Sequence, residues 1–471
     1  MEGLHTALEA ALGGEVTGLT RLTAGASMES WAFALEGRPL ILRRAPGGQE
    51  AATGLGGMAL ATEADVIRAA RAHGVTAPDV VHVFKPSSTV GAGYVMERLP
   101  GEALPHRLFK DEALAPVLDA LPERLARELA QVHAVPLEAL PGGVPKGGAR
   151  AMIDAYRAAY TQLGERRPVF ELAFRWLEDH APEPESSPVL VHGDFRLGNL
   201  LIDGAGLRGV LDWELCNLGD YHQDLAYICA PSWRFGRRER VVGGIGDVEP
   251  FIAAYEAASG HAVDRACFAF WRVLTTLFWG TACMQMLESW RNGTERTVER
   301  AAIGRRISEV EIDLLLLLQD IEGVEAAPLP TIDIPNTRFP SGQTSLREMM
   351  AALGEWVQGE VIPQAEGRAR FQARIAANLL GQLQREARMG REFAMRSRAR
   401  LQDMALSPAA LCDGLSGGTL DWRETALFDH LRLCAVERLL IDQPRYHGLA
   451  AAQARWMEPG PHEREAAAHR L

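Results

Sequence analysis

Lysine is nearly absent. It occurs three times, at Lys85, Lys110 and Lys146, so 46 of the 49 basic residues are arginine. Against 61 acidic residues this gives a formal charge of −12. A bulk electrostatic grip on nucleic acid is thereby excluded, because that needs a basic face. Cysteine is also sparse. Cys216, Cys229, Cys267, Cys283, Cys412 and Cys434 show no CxxC and no zinc spacing, and are expected to be buried as small apolar side chains. The N-terminus MEGLHTALEAALG carries acid early and lacks a basic region followed by an apolar core, so it does not read as a secretory signal. A clean apolar run of spanning length is missing too. The most apolar stretch, 268–287, is interrupted by Arg272 and is expected to be a buried helix. The expected compartment is the cytoplasm, with neither a membrane nor a nucleic acid as partner. What remains is ordinary globular composition, 47% hydrophobic and 23% charged, over 471 residues. That length supports two to three domains and sizeable cores without disulfide staples.

Residues 1–100 read as strands with one helix, a small α+β unit. WAFALEG and PLILRR are split by Glu36-Gly37-Arg38 and read as a hairpin. Residues 62–73 read as a helix that Thr62 and Asp65 would cap as a box and Gly74 would stop. VVHVF and GYVMERL read as two more strands. Residues 101–325 are mainly helical, broken by the short apolar runs VLVHGD, NLLID and GVLDW. A Pro-rich linker is expected over 326–340, with Pro328, Pro330, Pro335 and Pro340. Ser345 and Glu348 then form a capping-box pattern. Residues 341–456 follow the helical period and read as a small helical bundle, and 457–471 as a frayed tail.

One segment carries chemistry: His192-Gly193-Asp194-Phe195-Arg196-Leu197-Gly198-Asn199, with Asp212 thirteen residues on. Phosphoryl transfer needs a carboxylate to orient the attacking hydroxyl and take its proton. It also needs hard oxygen ligands for Mg²⁺ on the nucleotide phosphates. Asp194 and Asn199 supply a base and an amide oxygen from one loop. Asp212 supplies a second carboxylate at the end of the next short strand. A hairpin would bring all three together.

The pattern H-x-D-x-x-x-x-N…D is that of the kinase fold. Through VHGDFRLGNLLID, GVLDWE and GDYHQDLAY the sequence resembles the aminoglycoside phosphotransferase family. Its nearest likeness is to the branch found as the N-terminal kinase-like domain of acyl-CoA dehydrogenase fusion proteins. The resemblance covers about residues 1–325. It implies a two-lobed protein-kinase-like α+β fold, with lobes at 1–100 and 101–325, followed by the small all-α domain. It also implies ATP and Mg²⁺ as cofactors, with GTP an open alternative. By the same resemblance Asp194 matches the catalytic Asp, Asn199 and Asp212 the metal ligands, and His192 a brace of the catalytic loop. Asp220 and Asp224 match later supporting acidic positions. Arg196 stands near the transferring phosphate, where a structural salt bridge is equally open. Gly25 and Ser27 fall in the nucleotide-covering loop. The slot of the phosphate-binding lysine holds Arg43, with Arg44 the next candidate and Glu63 as ion-pair partner; arginine keeps the charge and can fork onto phosphate oxygens. Met96, Glu97 and Arg98 match the hinge that would hold adenine.

The implied activity is phosphorylation of a small-molecule hydroxyl. Trp233, Arg234, Phe235, Arg237, Arg238 and Arg240, followed by an aromatic helix from Phe268 to Phe278, suit an anionic, partly hydrophobic acceptor such as a hydroxyacyl-CoA. A solvated arginine surface over an aromatic core fits the same residues. An aminoglycoside acceptor is the alternative within the class. A nucleotide-binding pseudokinase or interaction module is the alternative outside it, favoured by Arg43 in the lysine slot. The helical domain resembles an uncharacterised module seen beside such kinases. Its roles stay open among homodimerisation, capping of the acceptor cleft and docking of a partner. His73, His82 and His133 are scattered and call for no ligand role.

Overall fold

The structure, a computed structural model, describes residues 2–22, 28–48, 58–183, 187–334 and 344–457. It begins with a helix, α1 (Glu2–Leu12), then three strands, β1 (Val16–Leu22), β2 (Glu29–Leu35) and β3 (Arg38–Arg44). Helix α2 (Leu60–Ala72) leads to β4 (Val80–Phe84) and β5 (Gly93–Glu97). The strands form one antiparallel sheet in the order β1-β2-β3-β5-β4. The expected hairpin is present: Trp31 pairs Leu42 across β2 and β3. Glu36 and Gly37 both take positive φ (49° and 78°), the geometry that matches a two-residue turn to strand twist.

Two local expectations fail. The N-terminal segment is helical, so the described part of this region holds two α-helices. Leu8 of α1 is buried in one core with Val16, Trp31, Phe33, Leu40, Leu42 and Val95, and Leu4 and Leu12 pack against it. Helix α2 starts earlier than expected, after Ala59, with no side-chain cap. Thr62 therefore lies inside the first turn, and the Thr62–Asp65 box does not form.

The chain continues with α3 (Pro105–Leu108), α4 (Ala115–His133), α5 (Ala149–Gln162) and α6 (Pro168–Asp179). Short strands follow: β6 (Val189–Val191), β7 (Leu200–Asp203), β8 (Gly206–Val210) and β9 (Asn217–Gly219). They pair as two antiparallel ribbons, β6 with β9 and β7 with β8. Then come α7 (His222–Ile228), α8 (Val248–Ser259), α9 (Arg265–Arg291), α10 (Val298–Ile303) and α11 (Ile307–Glu322). The last helices are α12 (Leu346–Trp356), α13 (Ile362–Gln364), α14 (Gly367–Arg385), α15 (Arg391–Asp403), α16 (Pro408–Ser416), α17 (Thr425–Asp442) and α18 (His447–Trp456). Ser345 caps α12 through a complete capping box with Glu348. A single π-turn, Glu386–Gly390, separates α14 from α15. By length and composition α9 could cross a membrane; 67% of its most apolar window is buried in the protein.

The chain divides into two compact units. One comprises Met1–Met152 and Pro182–Arg272, the other Ile153–Ala181 and Val273–Leu471. The first holds the sheet, β6–β9 and every residue of the candidate site. The second is helical, and in it α11 packs on α17 and α18. The division thus falls within α5 and α9 and not in the proline-rich stretch at 326–340. Of that stretch, Pro335 and Pro340 lie outside the described residues, as does most of the 457–471 tail.

Candidate functional site

The site is built on a turn that only glycine can make. Strand β6 is buried along its length and delivers His192, Gly193 and Asp194 to its end. Gly193 has φ +81°, and a side chain there would run into the Leu215 carbonyl. Asp224 on α7 anchors this turn. Its carboxylate, fully buried, accepts the backbone N–H of His192 at 2.7 Å and of Gly193 at 2.8 Å. His133 from α4 supports Asp224 at 3.1 Å through Nε2, and its Nδ1 meets the Tyr255 hydroxyl at 2.8 Å.

His192 braces the same loop. Its Nε2 lies 3.1 Å from the Leu211 carbonyl and its Nδ1 accepts the Asp194 N–H at 3.2 Å. These partners require the proton on Nε2. Burial lowers the His192 pKa against the pull of Asp224, Asp194 and Asp212, which favours the neutral ring.

Asp194 is held on both oxygens. Arg196 Nε donates to Oδ1 at 2.8 Å, and Asn199 Nδ2 donates to Oδ2 at 2.6 Å. Asn199 Nδ2 also reaches the Asp194 carbonyl at 3.0 Å. The guanidinium of Arg196 lies 4.8 Å from the Trp233 ring centroid, a cation–π platform. Burial opposes the charge of Arg196, but Asp194 beside it holds its pKa above the usual range. The salt bridge left open for Arg196 is therefore present.

Asp212 lies just beyond β8. The Leu211 N–H donates to the Asn199 carbonyl at 2.8 Å, tying the two loops together. Asp212 has φ +64°, uncommon for any residue but glycine, and such conformations cluster at functional sites. Arg43 Nη2 donates to Asp212 Oδ1 and to Glu214 Oε2, both at 2.7 Å. Its Nε lies 3.4 Å from Glu63 Oε1, and the Tyr94 hydroxyl donates to the same oxygen at 3.0 Å. Burial pushes the Glu63 carboxyl up to about 7, with Arg43 pulling the other way. Burial likewise opposes the charge of Arg43, but Glu63, Asp212 and Glu214 hold its guanidinium protonated.

The donor set suits a hard divalent cation. Asn199 commits its NH₂ to Asp194, so its Oδ1 is the atom available to a metal. Asp212 commits Oδ1 to Arg43, which leaves Oδ2 for the same task. Another cluster, Asp220, His222 and Cys267, has ligand atoms close enough for a metal but satisfies itself. His222 Nδ1 lies 2.6 Å from Asp220 Oδ1, Trp271 Nε1 donates to Oδ2 at 2.7 Å, and the Asp264 N–H donates to His222 Nε2. Despite burial, hydrogen bonds from His222 and Trp271 keep Asp220 below the usual carboxylate range.

Other expected residues are placed as follows. Gly25 and Ser27 lie outside the described residues. Met96 pairs Ile41 and Val80 within the sheet. The N–H groups of Glu97 and Arg98 donate to the Asp79 and Pro39 carbonyls, so both are engaged. Arg44 turns to Glu29 at 2.8 Å and leaves the lysine slot to Arg43. The arginine cluster splits. Arg234 is buried on the Cys229 carbonyl, and Arg240 bonds the Ile245 carbonyl and Asp119. Arg237 and Arg238 stay exposed, with Arg237 4.3 Å from the Phe109 ring centroid. Phe268, Phe270 and Trp271 are core residues.

Sequence reasoning missed Glu214, Trp233 as the platform for Arg196, and His133. Glu214 stands in the quoted GVLDWE, so its proximity to Asp212 was a usable signal. His133 is 91 residues from Asp224 and carried none.

The profile of the phosphotransferase enzyme family matches residues 18–271. A second profile, described as a domain of unknown function, matches residues 363–446. Mouse acyl-CoA dehydrogenase family member 10 is 31% identical over 307 residues, which are 59% of this chain and 28% of that protein. An Escherichia coli aminoglycoside 3'-phosphotransferase is 28% identical over 138 residues, 27% of this chain and 50% of that one. The chain spans about a quarter of the length of the acyl-CoA dehydrogenase relatives it matches. A solved structure from Ralstonia eutropha, of a protein assigned to the aminoglycoside phosphotransferases, superposes with TM-score 0.53 at 20% identity. It covers 68% of this chain and 98% of its own, a likeness of fold.

Proposed function

The chain belongs to the phosphotransferase enzyme family, and on that footing we propose that it transfers the terminal phosphoryl group of ATP to a hydroxyl of a small molecule. The observation that carries this reading is the Asp194 carboxylate. It is fixed by Arg196 and Asn199 on a loop tied to Asp212, and it keeps lone pairs for an incoming O–H.

In this reading the acceptor hydroxyl donates to Asp194. Its oxygen bonds to phosphorus as the bond to the bridging oxygen of ADP breaks, and the proton passes to Asp194. Arg43, held by Glu63, Asp212 and Glu214, keeps a positive charge beside the place of the phosphates. Asn199 and Asp212 would hold Mg²⁺, whose chemistry is to neutralise phosphate charge. The intact set of Asp194, Asn199 and Asp212 weighs against a pseudokinase, which has no need of both metal ligands.

The acceptor class we favour is a hydroxyacyl-CoA. Exposed Arg237 and Arg238 beside Phe109 and Phe235 suit a phosphate-bearing molecule with an apolar part, and the likeness to acyl-CoA dehydrogenase family proteins supports the same class. Burial of Phe268, Phe270 and Trp271 removes the aromatic helix from that argument.

The test is ADP release from the full chain with Mg²⁺ and ATP, against hydroxyacyl-CoA and aminoglycoside panels. Release with hydroxyacyl-CoA alone is expected, falling by roughly 10²–10⁴-fold in Asp194→Asn. Release with an aminoglycoside alone overturns the acceptor and keeps the chemistry. Unchanged release in the variant removes Asp194 as base.

A further inference from the structure

The helical unit contains a cavity of about 370 Å³ walled by α15, α16 and α17, the start of α6 and the π-turn after α14. Most of it lies within residues 363–446, for which the matching family profile records no function. Its walls are largely apolar, with Phe393, Leu401, Leu411, Leu431 and Ile441 among them, and Ser397 and His430 meet at the Cys434 thiol on the same wall. That is the usual make-up of a small-molecule pocket.

We propose that this cavity is a second binding site, for a small uncharged amphiphile whose polar end meets His430 and Ser397 and whose apolar body lies against Phe393, Leu401 and Leu411. The site is independent of the phosphotransfer reading.

Three observations support it. First, the charged groups of the wall already have partners. Arg167 pairs with Glu311 at 2.9 Å, Glu437 with Arg400 at 2.6 Å, and Arg438 with Asp442 at 2.8 Å and Glu386 at 3.4 Å. A charged ligand would be desolvated there with no opposite charge waiting, whereas an uncharged one is not penalised.

Second, His430 is short of partners. It is 3% exposed, and among the described residues its ring nitrogens meet only the Cys434 thiol, at 3.6 Å from Nε2 and 3.9 Å from Nδ1. One thiol serves one nitrogen well, so this cavity-lining ring keeps hydrogen-bonding capacity to spare. Burial, with Arg400 adding to it, holds the His430 pKa down to about 4, so the ring is neutral and offers one donor and one acceptor. Ser397, 3.4 Å from the same thiol, adds a hydroxyl.

Third, the π-turn Glu386–Gly390 contributes Glu386 and Gly390 to the wall. Such turns interrupt a helix at a cost and occur frequently at functional sites.

Cys434 lines the cavity and reports its occupancy. The experiment uses the full chain, labelled with methyl methanethiosulfonate and read at Cys434 by peptide mass mapping. The probe is 4-phenyl-1-butanol, with 4-phenylbutanoate and 4-phenylbutylamine as charged matches. We expect the alcohol at saturation to slow Cys434 labelling at least tenfold and raise the thermal midpoint, and the charged pair to do neither. A Cys434 that never reacts, or reacts equally with every compound present, overturns the proposal, since the cavity is then closed or holds water only. Ala394→Phe, at an exposed position on the cavity wall, should abolish the protection without lowering the unliganded midpoint. Protection that persists in this variant places the probe elsewhere and equally ends the proposal.

Discussion

Glu63 is fully buried beside a guanidinium, and its protonation is set by a contest between the two. Burial raises its pKa from 4.5 to about 7, and Arg43 offsets only part of that rise. In the unfolded chain the carboxyl returns to about 4.5. Between these values the native state holds a proton that the unfolded state has released. Stability from this group is therefore fully present below about pH 4.5 and lost as the pH rises to about 7. The loss is on the order of 3 kcal/mol. Urea midpoints without nucleotide from pH 5 to pH 8 should show that decline in the wild type and not in Glu63→Gln. A difference between the two proteins that stays flat across this range would refute the assignment. The same residues show what the sequence could reveal of the site. Asp194, Asn199 and Asp212 were legible because their spacing lies within one hairpin. Arg43 was legible as the charged residue in an expected slot. Glu214 stands two residues after Asp212, so its place near the site was legible but its bond to Arg43, across 171 residues, was not; His133 meets Asp224 across 91 residues, which no local pattern encodes.

Two capping patterns separate success from failure among the elements. Ser345 and Glu348 form their box because Ser345 is the residue at the helix boundary: its hydroxyl accepts the Glu348 N–H, and Glu348 returns to the Ser345 N–H at 2.7 Å. Thr62 and Asp65 have the same spacing, but Leu60 and Ala64 are buried and carry α2 past the threonine. Packing of the apolar face set that boundary, and the cap pattern did not. Helix α1 departs from the expectation of a single helix: Leu4, Leu8 and Leu12 repeat at helical spacing and pack into the core of the sheet. Ser345→Ala should cost about 1 kcal/mol, felt in the first turn of α12. Hydrogen exchange should quicken at the amides of residues 346–349 and stay unchanged in α2. Uniform change, or none, would deny the box a stabilising role.

At the scale of the molecule the proline-rich stretch misleads. Proline at 328 and 330 marks an extended segment, and extended segments usually part domains. Here the packing unit runs through it. Helix α11, before the stretch, buries Val310, Leu314, Leu315 and Leu318 in the unit that also holds α17 and α18. Polar contacts cross the same interval. Trp456 Nε1 donates to Gln319 at 2.7 Å, the Tyr446 hydroxyl donates to Asp313 at 2.5 Å, and Arg455 pairs with Asp320. A chain cut after Glu325 would leave α11 without α17 and α18, exposing apolar side chains worth about 1.5–3 kcal/mol each when fully buried. It would also remove the Trp456 bond from Gln319 and the Tyr446 bond from Asp313, which is 3% exposed. The expected outcome is a truncated protein that aggregates on size-exclusion chromatography and binds a hydrophobic dye, even though every residue placed at the phosphotransfer site is retained. A monodisperse product with undiminished ADP release would show that the kinase-like part ends where the prolines begin, and that α17 and α18 are dispensable to it.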